Sequence, residues 1–92
     1  MTTDPEHDYL AAVGQRVRLL RVARRLSQDA FAELAGVSRV TLGSIERGEH
    51  AAGLLTYVKL AEALGVGLSL LVDLDADNDV LRLLGNPLKS ST

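Results

Sequence analysis

Residues 27–49 read SQDAFAELAGVSRVTLGSIERGE, and how this stretch divides decides the fold. Ser27 has the chemistry of an N-cap, a hydroxyl that accepts from an amide two or three residues on. A helix from Gln28 to Ala35 follows, with Phe31, Leu34 and Ala35 expected inward. Gly36 ends it, because glycine takes the left-handed conformation cheaply. Val37 fills the turn and Ser38 caps a second helix, in which Leu42 and Ile45 point inward. Arg39, Val40, Gly43, Ser44 and Arg47 are left on its outer face. Gly48 stops that helix just after Arg47, a favourable end for a cation.

The flanking sequence supplies the rest of a helical bundle. Asp4-Pro5 or Asp8 can cap a first helix whose stripe is Leu10, Val13, Val17 and Leu20, with Arg24 in phase. Another helix is expected over Leu54–Leu64, ending at Gly65. From residue 66 to 74 the period changes. Val66, Leu68, Leu70, Val72 and Leu74 alternate with smaller or polar residues, and Leu71 is the one breach. That pattern favours a half-buried strand over the alternative, a single helical turn at Leu68–Val72. Asp77 or Asn78 can start a last short helix, Val80 to Leu84, before Gly85-Asn86-Pro87. The expected organisation is an extension at 1–8, one domain at 9–75 and a tail at 76–92.

Composition narrows the function. With 92 residues, 47% of them hydrophobic and only three aromatic (Tyr9, Phe31, Tyr57), the core is small and aliphatic, and association would help it. There is no cysteine, hence neither a disulfide nor a thiolate metal site. His7 and His50 lack metal-ligand partners at useful spacing, and Asp73, Asp75, Asp77 and Asp79 lack the central glycine and terminal glutamate of an EF-hand loop. No nucleophilic triad or phosphate loop is present, so neither enzyme nor cofactor is expected. No apolar run is long enough to span a bilayer, and the acidic N-terminus is unlike a signal peptide, which leads to an expected cytoplasmic location. The net charge of −2 hides a division: seven arginines stand against three acidic residues between Arg16 and Arg47, and the remainder towards the C-terminus is acidic. A local basic face matters more to phosphate than the whole-chain sum. Arg16, Arg18 and Arg25 lie mostly off the apolar stripe and read as solvated.

Two short helices joined by a turn containing glycine form a helix-turn-helix, whose second helix has the width to enter a major groove. The blocks VGQRVRLLR, LSQDAFAELAGVS, IERGE and LAEALGV occur in order across residues 13–71, and on them the chain resembles the Xre/Cro, or lambda-repressor-like, family. The resemblance implies a mainly α bundle of four to five helices that binds double-stranded DNA as a dimer. It implies base reading by Ser38, Arg39, Val40 and Ser44, with Arg39 suited to guanine and Val40 to a thymine methyl. Gln28 is implied to touch phosphate and brace the recognition helix, and Arg21 and Glu46 to form a structural ion pair. Arg47 and His50 are further phosphate candidates.

Departures from the family pattern point to a partner surface. Leu55 stands where a polar residue is usual, and Leu68, Leu70, Leu71 and Val72 occupy the GLSLLVD segment. A strand there, pairing across a twofold axis, would resemble the HipB-like antitoxin branch, whose members also bind a toxin. The leading expectation is a dimeric repressor of a (pseudo)palindromic operator. A phage-type repressor without a toxin and a protein-interaction module that no longer uses DNA are the alternatives.

Overall fold

The computed structural model describes residues 4–74, which form five helices: α1 (Pro5–Ala23), α2 (Gln28–Ala35), α3 (Arg39–Glu46), α4 (Leu54–Leu64) and α5 (Leu68–Val72). Local chemistry sets most of the boundaries. The Asp4 carboxylate accepts from the Glu6 amide, and Pro5 takes a first-turn position where its missing N–H costs nothing. α1 starts at Pro5, so residues 5–8 of the expected extension are helical. Ser27 Oγ accepts from the Ala30 amide and Ser38 Oγ from the Thr41 amide, both at 3.0 Å. Gly36 has φ 74°, and the Val37 amide bonds back to the Ala32 carbonyl at 3.0 Å, closing α2.

The end of α1 uses the same device without a glycine. Arg25 has φ 60° while the Leu26 amide bonds to the Arg21 carbonyl at 3.1 Å. An L-residue held there costs about 1–2 kcal/mol, against the extra chain entropy a glycine would lose. Arg25→Gly should therefore raise stability by about 0.5–1 kcal/mol, read as a higher urea midpoint at unchanged slope.

The core collects residues from all five helices: Val13 and Val17, Phe31 and Ala32, Leu42 and Ile45, Tyr57, Leu60, Ala61 and Leu64, and Leu71. α1 lies chiefly against α3, while α4 bridges α2, α5 and α1. Leu34, expected inward, is 61% exposed. The buried stripe of α2 runs through Phe31, Ala32 and Ala35, which rotates position 34 towards solvent.

The strand expected at about 66–74 is replaced by α5. Leu71, the breach in the alternation, is the residue that α5 buries completely, while Leu68 and Val72 are half-buried beside it. The turn pairs backbone locally, the Leu70 amide with the Gly67 carbonyl at 3.1 Å and the Asp73 amide with the Ser69 carbonyl at 2.9 Å, and needs no paired edge. Side chains from α1 take its terminal carbonyls: Arg16 Nη1 donates to the Leu70 oxygen at 2.9 Å, and the Tyr9 hydroxyl donates to the Val72 oxygen. Arg16, expected to be solvated, is thus a capping residue. The short helix at 80–84 and the tail at 76–92 lie outside the described residues.

Candidate nucleic-acid interface

The face centred on α3 brings together most of the expected contact residues. Val40 is 77% exposed and lines a groove with Thr41, Ser44 and His50 between α3 and the loop before α4. The Arg39 side chain stands at the start of α3, where its Nε meets the Asp29 carboxylate at 2.7 Å; both groups are mostly solvated. Ser38 is already engaged, because its hydroxyl accepts from the Thr41 amide and donates to Thr41 Oγ1 at 2.8 Å. Ser38 fixes the start of α3, and Thr41, not anticipated from sequence, lines the groove.

Behind this face lies a polar lock. Glu46 is nearly buried, with 2% of its side chain exposed, and Arg21 meets it from α1 with 11% exposed. Arg21 Nε donates to one carboxylate oxygen at 2.7 Å and Nη2 to the other at 3.0 Å. Its Nη1 donates to the Leu26 carbonyl at 2.7 Å. The Gln28 amide, at the start of α2, donates to Glu46 at 3.1 Å. Three helices therefore converge on one carboxylate, and no buried side-chain polar atom is left unpartnered among the described residues. The Gln28 side chain thus ties the start of α2 to the end of α3.

The C-terminal end of α3 holds a second cluster. Arg47 donates through Nε and Nη2 to the two oxygens of Glu49, at 2.8 and 3.1 Å. The hydrogen bond and charge of Arg47 hold the Glu49 carboxyl below the usual carboxylate range, so it is ionised at neutral pH. Gly43, expected on the outer face, is buried: an added Cβ would lie 3.0 Å from Arg47 Nη1. The guanidinium covers the space where a side chain would stand.

The residues expected at a dimer interface are not gathered on one face. Leu71 is a core residue and unavailable to a partner. Leu70 lines a groove with Leu19 and Leu20, whereas Val72 lines another with Tyr9 and Leu54. Leu55 is 65% exposed. Among the described residues, no helix is long and apolar enough to cross a membrane, and no group of three or more His, Asp or Glu side chains is placed to hold a metal ion.

Comparison with known proteins agrees with this geometry. The chain is 42% identical over 60 residues to an immunity repressor protein of Bacillus phage phi105, covering 65% of this chain but only 42% of the phage protein. It is 36% identical over 61 residues to the control protein C.SmaI of Serratia marcescens, covering 66% of this chain and 73% of that protein. The crystal structure of the restriction-modification controller protein C.AhdI from Aeromonas hydrophila superposes with a TM-score of 0.66 at 42% identity, covering 67% of this chain and 94% of that one. An HTH_3 family transcriptional regulator from Vibrio cholerae gives a TM-score of 0.68 at 36% identity, covering 72% of this chain and 37% of that one. The helix-turn-helix family HTH_3 matches residues 17–71, a span that includes the Arg21–Glu46 lock and the whole α3 face. The chain belongs to the helix-turn-helix HTH_3 family.

Proposed function

We propose that the protein is a sequence-specific DNA-binding transcriptional regulator, which acts as a dimer on a (pseudo)palindromic operator and represses transcription there. The observation that carries this reading is an exposed recognition helix, α3, locked from behind by a buried carboxylate shared by α1 and α2. A rigid helix presenting Arg39, Val40 and Ser44 loses little freedom on docking, so its base contacts translate into discrimination. The names of the relatives, an immunity repressor and restriction-modification controllers, support the same class of activity. Its place of action is where the chromosome lies, in the cytoplasm, and its action is binding rather than catalysis. Solvent-exposed Leu54 and Leu55 support a second copy as partner. The HipB-like branch rested on a strand where α5 now stands, so no toxin enters the proposal.

In-vitro selection of bound duplexes tests this reading. The expected product is a pair of inverted half-sites about one helical turn apart, with affinity falling steeply as salt rises. Arg39→Ala should cost about 1–3 kcal/mol on the selected site and relax preference at one base position. The net charge of −2 favours the rival reading, an interaction module without DNA. That reading gains if neither selected nor random duplexes show salt-sensitive binding.

A further inference from the structure

Arg47 is exposed, yet the structure does not leave it loose. Its guanidinium is clamped at two nitrogens by Glu49, and its third nitrogen lies over the bare backbone of Gly43. Gly43 gives α3 a flat spot, and Glu49 sets the angle at which the guanidinium rests there. The pose matters because arginine can serve DNA in two ways. A mobile arginine follows the sugar-phosphate backbone and finds a phosphate in any register, which is the basis of non-specific binding. A fixed arginine meets a phosphate only when the docked register puts one at its remaining N–H groups.

We propose that Gly43 and Glu49 are specificity-determining positioning residues, which hold Arg47 as a fixed cation so that it contributes to a matched duplex and little to random DNA. This rests on the DNA-binding reading above. The nearby carboxylate adds to the effect, since it opposes any phosphate that approaches Arg47 from another direction. A mid-helix glycine otherwise weakens a helix relative to alanine, and the seat for Arg47 is what position 43 provides in return.

The experiment measures affinity for the selected operator and for a random duplex of equal length, for wild type, Glu49→Gln, Gly43→Ala and Arg47→Ala. Glu49→Gln releases the guanidinium and keeps the shape of the side chain. Gly43→Ala pushes the guanidinium off its seat; only the tip of a flexible side chain has to move, and the helix gains propensity, so the variant folds. Both variants should bind random duplex about three- to tenfold more tightly at about 50 mM salt, with a steeper salt dependence. Operator affinity should change by less than about twofold, so the specificity ratio falls. In an Arg47→Ala background, Gly43→Ala should have no such effect, because no cation remains to be pushed off its seat, whereas Glu49→Gln keeps only the smaller gain from the lost carboxylate repulsion. Equal changes on both duplexes, a loss confined to the operator, or a Gly43→Ala effect that persists without Arg47 would each overturn the proposal while leaving DNA binding intact. Failure of the wild type to bind any duplex would instead remove the functional reading, and this proposal with it.

Discussion

Alanine at position 14 is expected to lower the thermal midpoint by more than about 10 °C, for the smallest chemical change available. Gly14 is buried where α1 crosses α3, and a Cβ there would lie 2.1 Å from the Ile45 carbonyl oxygen and 2.9 Å from that of Glu46. These are backbone atoms of the last two residues of the recognition helix, so no rotamer change relieves the overlap. Either α3 moves away from α1 or the crossing opens. Overpacking of this kind costs about 3 kcal/mol or more, against which the better helix propensity of alanine returns about 1 kcal/mol. Gln15→Ala, one residue on and exposed, should stay within about 0.5 kcal/mol of wild type. Thermal or urea unfolding of the two variants side by side checks the claim. A Gly14→Ala midpoint equal to or above wild type would show that the crossing is looser than described.

What could be read in the sequence was whatever one turn of chain decides for itself. Ser27 and Ser38 cap, and Gly36 reverses, using atoms within four residues, so their chemistry is visible in the string. Arg21 and Glu46 are distant in sequence, yet the family blocks VGQRVRLLR and IERGE carry both, and the structure joins them. Gly14 was silent because its reason is a carbonyl 31 positions away. The strand pattern at 66–74 folds as α5 for the same kind of reason. An alternating leucine pattern is open to a helical reading once Leu71 is allowed inward, and the donors that cap this turn, Tyr9 and Arg16, lie on α1. Helical phase alone places position 43 outward. Phase cannot show that a side chain four residues later folds back over it. Pairing of Arg39 with Asp29 across the turn was likewise beyond any local pattern.

Removing the Glu46 carboxylate should be at least as damaging as filling Gly14, for a different reason. Glu46→Ala leaves the Arg21 guanidinium, 11% exposed, with the Leu26 carbonyl as its only remaining partner among the four hydrogen bonds of the cluster. A buried charge stripped of its counter-ion costs about 3–5 kcal/mol. Domains of this size have about 5–15 kcal/mol in total, so the variant should be partly unfolded near 37 °C. That loss does not measure what the ion pair contributes, because both ions were desolvated to make it. Replacing the two together, Arg21→Met with Glu46→Leu, trades the pair for apolar packing and should recover most of the stability lost by Glu46→Ala. The double variant then separates two roles of the cluster. Apolar side chains can fill the same space, but they cannot fix α3 against α1 through a two-pronged, directional contact. The expected result is a folded protein whose operator affinity falls while its affinity for random duplex is retained. A double variant with wild-type discrimination would show that packing alone orients the recognition helix. A Glu46→Ala cost below about 1 kcal/mol would show that water, rather than protein, surrounds the pair.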